Sequence, residues 1–387
     1  MRAVSVIGIG ETKMGRFPNT SLRQLISEAG NAALTDAGIG AKDVQGLFLS
    51  NFNGQMLSGQ GQMGALASEV LNLGRVPTVR TEGACASGSM AFRMGLMSVM
   101  SGFHDIVLVG GVEKMTHQST QVVTDALASA MDYELEASKG FTFPSNFAMM
   151  ANRYFHEYRN VKKEMAMCAV NAHRNGAMNP DAQMQKEITI EKVLGSIMIA
   201  DPISLFDASL ITDGAAFVVI ATREIAERLN RHRVIEVVGS GHAGDTITLY
   251  SKNNITSFAA AKAAAHQAYQ TANLKPSDID FAEVHDCFTI TQIITIEDMG
   301  FAEPGHGADL VAEGEIALEG RIPINPSGGL KAKGHPIGAT GLSQMFEVVT
   351  QLRGTAGKRQ LKKADIGLTH NLGGTAATCL VHIFRGK

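Results

Sequence analysis

The sequence predicts an α/β protein in which short strands alternate with helices along the whole chain. Apolar runs rich in β-branched residues, such as residues 4–9, are followed by longer stretches with helical periodicity, such as residues 21–37. The same order returns in the second half of the chain, from residue 234 onwards. Strands that alternate with helices are typical of largely parallel sheets covered by helices, and we expect such sheets here.

The individual elements can be bounded from the sequence. Ser21 is suited to cap the first helix, and Gly38 lies just past its end. Further helices are predicted over residues 90–100, which we expect to be buried, and over 223–230, 258–272 and 341–352. Strands are predicted over residues 4–9, 47–50, 78–81, 106–109, 216–220, 234–239, 281–285, 366–369 and 378–384.

The two halves of the chain resemble each other, which predicts an internal duplication. The matching segments are residues 105–111 with 365–369 and residues 213–220 with 374–381. We therefore expect one half over residues 1–230 and a second over residues 231–387. Within the first half, residues 113–202 have broken periodicity, and we expect them to form an excursion that covers a pocket.

Composition and charge exclude several classes of protein. Hydrophobic residues make up 45% of the chain and charged residues 18%, which is typical of a globular protein with a sizeable core. The formal net charge is −3 and no basic run is present, so neither nucleic acid nor an anionic membrane surface is expected as a partner. No apolar stretch is long enough to span a bilayer and the N-terminus lacks a signal-peptide pattern, so we expect a cytoplasmic protein.

The four cysteines are far apart in the sequence, and no pair has the spacing of a zinc or redox site. We therefore expect free thiols in a reducing compartment and no metal site in this chain. The cysteines are Cys85, Cys168, Cys287 and Cys379.

The segment 83–89, Gly-Ala-Cys-Ala-Ser-Gly-Ser, joins a predicted strand to a predicted apolar helix. This places Cys85 at a helix N-terminus, where unpaired N–H groups and the helix dipole stabilise a thiolate. The alternative is a buried cysteine that only fills space in the core. The small residues on both sides favour a nucleophile, because they leave room for a substrate carbonyl beside the sulfur.

The segment 283–288, Glu-Val-His-Asp-Cys-Phe, places His285 and Cys287 at the end of an apolar strand, where open α/β sheets bind ligands. A turn at this point would aim both side chains into one cavity, and a thiol beside an imidazole suits acid–base catalysis. A histidine bonded to a carbonyl and a cysteine in the core would explain the same residues. The segment alone does not decide between these interpretations.

Residues 325–341 form a loop so rich in glycine that ordering it is costly and needs a reason. The loop holds His335 just before a predicted helix, and it lacks the Gly-Lys-Ser/Thr of a phosphate-binding P-loop. Lys331 and Lys333 have the charge to bind phosphates, but we expect both to be solvated at the surface.

The last motif, His-Asn-Leu-Gly-Gly-Thr at residues 370–375, ends a predicted strand. The N–H groups of its glycine pair are able to face an oxyanion. Taken alone, this pattern is common, and it gains meaning only beside the other three motifs.

Together, the four motifs resemble those of the thiolase family, in the family's order and over essentially the whole chain. His-Asp-Cys-Phe at residues 285–288 is similar to the sterol-carrier-protein-type and archaeal-type branch, where it replaces Asn-Glu-Ala-Phe. The resemblance implies an acyltransferase that reversibly cleaves or condenses a 3-oxoacyl-CoA. Coenzyme A and acyl-CoA would be its substrates, with no permanently bound cofactor.

The resemblance also implies roles for individual residues. Cys85 would be the acylated nucleophile, and His335 would take its proton and polarise the thioester oxygen. The N–H groups of Gly373 and Cys85 would form an oxyanion hole.

Two positions depart from the better-known family pattern. His285 stands where the family has an Asn that holds an oxyanion-hole water. Asn371 occupies the position of the usual second cysteine and cannot act as an acid or base. Cys287 is then implied as the replacement for that acid and base.

The fold implied is the thiolase fold, with two similar βαβαβαββ halves in a layered α-β-α-β-α core and residues 113–202 as an inserted loop domain. Family members are homodimers or dimers of dimers. Some archaeal-type relatives work with a small zinc-ribbon/OB-fold subunit, and any zinc would belong to that subunit. We expect a dimer here and regard such a partner as a hypothesis by analogy.

Several alternatives stay open. A ketoacyl synthase or a hydroxymethylglutaryl-CoA synthase would share the fold and the nucleophilic cysteine, but Cys287 and the Gly-His-Pro loop favour a thiolase. A non-catalytic scaffold or a lipid-binding subunit is the alternative from another class. The intact set of four reactive residues argues against a scaffold.

The acyl group is not determined by these motifs. Acetoacetyl-CoA is the default substrate, and a bulky or aromatic one such as benzoylsuccinyl-CoA is the alternative. We assign Phe143, Met149 and Asn371 to the substrate pocket. Phe143 and Met149, with the neighbouring Phe141, Phe147 and Met150, would explain a core equally well.

Overall fold

A computed structural model describes residues 2–229 and 233–387, and within them eleven strands form a nine-stranded sheet and a two-stranded sheet. Most strands lie where the apolar runs predict them, and several extend beyond the predicted ends. The strands are β1 Val4–Glu11, β2 Leu47–Ser50, β3 Thr78–Thr81, β4 Ile106–Glu113, β5 Met198–Ala200, β6 Ile203–Ser204, β7 Gly214–Thr222, β8 Ile235–Gly244, β9 Phe281–Glu283, β10 Ile366–Gly373 and β11 Thr378–Gly386.

The first helix begins and ends as the sequence predicts. The Ser21 side chain accepts the N–H of Gln24, and Gly38 adopts the left-handed conformation that ends the helix. In the described part of the chain, no helix combines the length and the apolar character needed to cross a membrane. The helices are α1 Leu22–Ala37, α2 Gly54–Ser58, α3 Met63–Val70, α4 Ser87–Ser101, α5 Thr120–Ala128, α6 Phe143–Glu157, α7 Lys162–Ala177, α8 Ile190–Leu194, α9 Arg223–Leu229, α10 Ala259–Ala272, α11 Thr289–Asp298, α12 Gly307–Ala312, α13 Gly329–Ala332 and α14 Thr340–Leu352.

The prediction of largely parallel sheets is wrong. The nine-stranded sheet has the order β3-β2-β4-β7-β1-β8-β11-β10-β9. Only β3, β2 and β4 at one end, and β10 with β9 at the other, pair in parallel; all the neighbours between them are antiparallel. The connection from β10 to β11 shows the cause, since residues 374–377 are too few for the crossover that parallel strands need.

The two halves of the chain nevertheless follow the same order of elements. Outward from the β1–β8 pair lie β7, β4, β2 and β3 on one side and β11, β10 and β9 on the other. Beyond β9, Ile324 makes a parallel bridge to Ala282, at the place that corresponds to β3. The predicted boundary at residues 230–231 lies outside the described residues and stays a prediction.

Helices α4 and α14 form the central layer of the molecule. Their apolar faces pack together in one buried cluster that includes Phe92, Leu96, Leu342 and Met345. The outer layers are α1 on the first half and α10 on the second. A Cβ atom added to Gly88 would lie 2.9 Å from the Gly341 nitrogen, so the N-termini of α4 and α14 meet. The prediction that α4 is a buried helix holds for one face only, since Met94 and Met97 on this helix are exposed.

The excursion between β4 and β7 is more regular than its sequence suggests. It contains α5 to α8 and the β5–β6 hairpin. Buried side chains of α6 and α7, such as Phe147 and Met165, share a core with Ile290 and Ile293 of α11. The excursion therefore packs against the second half and covers the N-termini of the central helices α4 and α14.

Candidate active site

Cys85 lies in a short 3₁₀ turn, Ala84–Ala86, between β3 and α4. Ala84 has a φ of 49°, a left-handed conformation that is costly for a residue with a Cβ atom. Ser87 holds the turn, because its Oγ accepts the Gly83 N–H at 2.9 Å and donates to the Ala84 carbonyl at 2.6 Å. The strained turn presents the half-buried Cys85 side chain to an internal cavity.

Reactive side chains from three separate motifs converge on this cavity. Cys85 Sγ and a ring nitrogen from each of His285 and His335 all lie within 4.8 Å of one another. The two imidazole rings are edge to face, with centroids 5.2 Å apart. Cys287 lines the same cavity, because β9 ends at Glu283, two residues before the predicted strand end, and the chain turns there. The structure thus brings together the four side chains that the sequence singles out.

Hydrogen bonds determine which nitrogen of His335 is free. Its Nδ1 lies 2.7 Å from Thr340 Oγ1, and Thr340 donates its own proton to the Pro336 carbonyl at 3.1 Å. Thr340 must therefore accept a proton from His335 Nδ1, which leaves Nε2 as a bare acceptor. The His335 N–H donates to Thr212 Oγ1 at 2.9 Å and fixes the backbone. The free nitrogen is the one suited to take a proton from Cys85.

His285 has the opposite arrangement. Its Nδ1 accepts a hydrogen bond from Asn371 Nδ2 at 2.8 Å, so the ring proton resides on Nε2. Nε2 is buried and has no hydrogen-bond partner among the described residues. A buried N–H without a partner is ready to donate to a substrate oxygen. The prediction that Asn371 lines the substrate pocket is wrong, because Asn371 is buried behind His285 and orients that ring.

All four reactive groups are neutral in the resting structure. Burial lowers the pKa of His335 to about 3 and the pKa of His285 well below its usual value. Burial raises the pKa of Cys85 to about 12 and that of Cys287 well above its usual value. The expected thiolate at the start of α4 is therefore not the resting state, because loss of hydration outweighs the nearby N–H groups.

Gly374, one residue after the predicted Gly373, offers a backbone donor to the Cys85 sulfur. The Gly374 N–H bonds to the sulfur and lowers the pKa of the thiol, against the larger effect of burial. Gly374, with φ 61°, lines the cavity. Gly373 pairs with Thr378 in the β-ladder, and a Cβ atom added to it would lie 2.3 Å from the Gly83 carbonyl oxygen. Its role as an oxyanion-hole donor stays a prediction.

Two buried carboxylates clasp the loop that carries His335. Glu283 accepts the N–H of Ser327 at 2.9 Å and its hydroxyl at 2.8 Å. Asp286 accepts the Leu330 N–H at 2.7 Å, and burial raises the pKa of Asp286 to about 6. Gly329 must be a glycine, because an added Cβ atom would lie 2.4 Å from an Asp286 oxygen. Both carboxylates stand in the motif of residues 283–288, but their partners cannot be read from the motif itself.

A third carboxylate, Glu113, holds the loop from the first half of the molecule. It is fully buried at the end of β4. Its oxygens accept the N–H groups of Phe52 at 2.9 Å, Asn53 at 3.1 Å and Gly338 at 3.0 Å. Sequence reasoning missed Glu113; a single acidic residue directly after an apolar strand was the available signal.

The cavity has a volume of about 590 Å³ and is lined mainly by apolar side chains. Phe143 is part of its wall, and Phe147 stacks on Phe288 with ring centroids 4.6 Å apart. The assignment of Met149 to this pocket is wrong, since Met149 is exposed and lines a separate surface pocket. Phe143, Phe147 and Met150 share the inner face of α6 at helical spacing, and Met149 lies on the outer face.

Neither lysine of the glycine-rich loop is solvated, which corrects the prediction for both. Lys333 Nζ lies 2.9 Å from Glu11 Oε1 and is buried with it. Lys331 is 2% exposed and belongs to the wall of the cavity. Buried lysines are rare, and periodicity gives no warning of them.

Comparisons with known proteins give a consistent match across the chain. A family described as the thiolase N-terminal domain matches residues 4–224. A family described as thiolase C-terminal domain-like matches residues 241–386.

Individual proteins agree with these matches. An acetyl-CoA acetyltransferase of Methanothermobacter thermautotrophicus is 46% identical over 99% of this chain and 100% of its own length. Sterol carrier protein 2 of Bos taurus is 32% identical over 96% of this chain and 70% of its own length. The solved structure of an Ltp2-ChsH2(DUF35) aldolase superimposes with a TM-score of 0.86 at 26% identity, covering 99% of this chain and 98% of that one.

Proposed function

This chain belongs to the thiolase family and is an acyltransferase, and on that premise we propose that it forms an acyl-enzyme on Cys85. The proposed reaction is the reversible cleavage of a 3-oxoacyl-CoA by coenzyme A, or the reverse Claisen condensation. One observation carries the proposal: Cys85 Sγ lies within 4.8 Å of ring nitrogens of both His285 and His335, at the wall of an apolar cavity.

The first step in the cleaving direction is attack by Cys85. The bare Nε2 of His335 takes the thiol proton as the sulfur attacks the 3-oxo carbonyl carbon. A neutral imidazole and a neutral thiol suit this step. Charge appears on His335 and on the reacting groups only when the bound substrate has excluded water from the site. The N–H groups of Gly374 and Cys85 stabilise the oxyanion that forms on the carbonyl oxygen.

The second step breaks the carbon–carbon bond. The electron pair of the C2–C3 bond moves onto the leaving thioester, which becomes an enolate. The Nε2–H of His285 and the newly protonated His335 donate to the enolate oxygen. The thiol of Cys287 donates its proton to the enolate carbon, which releases the shortened acyl-CoA product and leaves an acyl group on Cys85.

The third step regenerates the enzyme. The Cys287 thiolate takes the proton of a coenzyme A thiol, and the coenzyme A sulfur attacks the acyl group on Cys85. Cys85 leaves as a thiolate and recovers its proton from His335. Each of the three groups thus returns to its resting state, and the condensation follows the same path in reverse.

A thiolysis assay tests the proposed function. Purified protein is mixed with acetoacetyl-CoA and coenzyme A, and formation of acetyl-CoA is measured beside the Cys85→Ala variant. We expect turnover by the wild type alone. Release of carbon dioxide from malonyl-CoA without thiolysis would instead favour a ketoacyl synthase, the rival enzyme that shares a cysteine and two histidines.

A longer or bulkier 3-oxoacyl chain is the second candidate for the substrate. The cavity volume of about 590 Å³ is more than an acetoacetyl group fills. The aromatic rings of Phe143, Phe147 and Phe288 line it and suit a large apolar or aromatic acyl group. Measuring kcat/KM across 3-oxoacyl-CoA thioesters of increasing length, with an aromatic member such as benzoylsuccinyl-CoA, identifies the chain preferred.

We also propose a homodimer built on the free edge of the large sheet. Strand β3 forms this edge. Val79 on it is exposed, as are Met94 and Met97 of α4, a helix that contacts β3. An exposed strand edge with exposed apolar neighbours is a typical site of pairing between copies of one chain. Size-exclusion chromatography with light scattering gives the mass, and Met97→Asp should lower it to that of a monomer.

A small zinc-ribbon/OB-fold subunit is a further proposed partner. The related aldolase structure contains a DUF35 protein by its own description. In this chain, Ile197, Met198, Ile199 and Leu205 are exposed apolar residues around the β5–β6 hairpin, and Ile199 and Leu205 also line the cavity. Such a patch at the cavity mouth suits a partner that completes the binding site. Co-purification from the native host, with and without Ile197→Asp, tests this.

A further inference from the structure

Lys331 has an unusual position for a lysine. It lies in α13, is 2% exposed, and forms part of the cavity wall. Within the described residues, Nζ makes neither a hydrogen bond nor an ion pair, and it sits 5.4 Å from the ring centroid of Phe206. A buried ammonium is expensive unless a partner replaces its lost hydration, and an aromatic face replaces only part of it.

The charge of Lys331 has no rival in the cavity. Among the described residues that line it, the other ionisable side chains are Cys85, His285, Cys287 and His335. Their shifted pKa values keep all four neutral near pH 7. A single positive charge therefore faces a cavity whose remaining wall is apolar or weakly polar.

The two carboxylates that act on the Lys331 charge form their hydrogen bonds with other groups. Asp207 accepts hydrogen bonds from Ser204 and Thr289 and forms an ion pair with Lys162. Asp286 accepts the Leu330 N–H, as described above. Both act on the Lys331 charge through space, but neither forms an ion pair with its ammonium.

On the basis of the proposed thiolase function, we propose that Lys331 binds an anionic group of the acyl chain. The preferred substrates would then be 3-oxoacyl-CoA thioesters that carry a carboxylate at the far end of the acyl group. A carboxylate that reaches Nζ forms a charge-assisted hydrogen bond in surroundings where water does not compete. The phosphates of coenzyme A are the other anionic source for the same chemistry, and the experiment below separates the two.

The dependence on pH follows from the surroundings of Lys331. Burial lowers the pKa of Lys331 to about 8, against the opposing effect of Asp286 and Asp207. His173 and Lys192 are the other ionisable groups around it; Lys192 approaches the same Phe206 ring. The positive charge is present below this pKa and is lost above it. The preference for a carboxylate should therefore fall between pH 7 and pH 9.

A matched pair of substrates tests the proposal. 3-Oxoadipyl-CoA and 3-oxohexanoyl-CoA have the same six-carbon chain, which ends in a carboxylate in the first and a methyl group in the second. We expect the wild type to favour the carboxylate by roughly tenfold or more in kcat/KM, as one charge-assisted bond implies. Lys331→Met should remove this preference. Lys192→Met is the control, because it removes an exposed lysine beside the same ring and should leave the ratio unchanged.

The outcomes separate this proposal from the proposed function. A wild-type ratio near or below one, or a ratio that Lys331→Met leaves unchanged, overturns the acyl-chain proposal alone. A Lys331→Met variant that raises KM for coenzyme A equally with both thioesters places the lysine at the phosphates and also overturns it. Absence of turnover and of any acyl adduct with both thioesters contradicts the thiolase function itself. If Lys331→Met does not fold, the wild-type ratio at pH 7 and pH 9 decides.

Discussion

The two central helices begin side by side, yet the connections that lead into them differ. The turn before α4 is short and half-buried at Cys85. It contains the strained Ala84 and is held by hydrogen bonds of Ser87. The loop before α14, residues 325–339, is long, fully buried and held by Glu283, Asp286 and Glu113. The two connections occupy equivalent places in the two halves of the fold. A nucleophile needs access to substrate, whereas a base needs a fixed orientation. These two needs explain why the turn that carries Cys85 is more accessible than the loop that carries His335.

The largest expected effect comes from the turn before α4, which carries Cys85. Cys85→Ala should lower kcat by about 10⁴-fold or more, because the covalent step is lost. The fold should persist, since the side chain is small and half-buried. Cys168→Ala is the control, because Cys168 is buried in α7 and is not among the cavity-lining residues. Residual activity of Cys85→Ala above a few per cent of wild type would show that Cys85 is not the nucleophile.

The next effect comes from the base and its orientation. His335→Ala should lower kcat by about 10³-fold, within the range for a lost general base. Thr340→Val removes the acceptor of the Nδ1 proton and should cost about tenfold, because the ring no longer keeps its Nε2 bare. Steady-state kinetics of both variants give these values. Full activity of Thr340→Val would mean that the loop does not orient the base in this way.

Cys287 is proposed to act twice, as the acid that protonates the enolate and as the base that activates coenzyme A. Cys287→Ser should lower overall turnover by about 10²-fold, because a hydroxyl is a much poorer acid and base than a thiol. Formation of the acyl adduct on Cys85 and its removal by coenzyme A should both slow. Rapid-quench measurement of adduct formation and decay tests this. Loss of adduct formation with normal decay would contradict the proposed role.

Glu113 tests the clasp of the buried loop. Glu113→Gln should lower the free energy of unfolding by about 2 kcal/mol, because an amide nitrogen would face N–H donors that now bond to carboxylate oxygens. Urea unfolding measures the change. Glu28→Gln, an exposed position of α1, should be neutral within about 0.5 kcal/mol. Equal stability of the two variants would show that the loop is held by other contacts.

The smallest effect is expected behind His285. Asn371→Leu removes the donor that keeps the His285 proton on Nε2, so kcat should fall by about tenfold with KM little changed. A rise in KM without a fall in kcat would place Asn371 in substrate binding, as the sequence first suggested.

Sequence reasoning located the elements well and the strand directions poorly. Apolar runs such as residues 106–109 predict strands, because the hydrophobic pattern of a buried strand lies within one short segment of the chain. The direction in which β7 or β11 pairs depends on connections of very different length. The alternation of strands and helices alone therefore led to the wrong prediction of parallel pairing.

The site shows the same division. The reactive residues stand in glycine-rich or strand-end segments whose composition is unusual, so Cys85 and His335 could be singled out. Their supports could not, because Glu113 and Thr340 contact residues far away in sequence or look ordinary in it. The choice between the Gly373 and Gly374 N–H groups stays a prediction, since the direction of an N–H depends on a backbone angle that no residue type determines.

Intact mass spectrometry tests the central claim most directly. The wild type, Cys85→Ala and Cys168→Ala are each mixed with a panel of acyl-CoA and 3-oxoacyl-CoA thioesters and weighed before hydrolysis. The account predicts one acyl group on the wild type and on Cys168→Ala, located at Cys85 by peptide mapping, and none on Cys85→Ala. An adduct that persists on Cys85→Ala, or no adduct with any thioester in the presence of host extract, would contradict it.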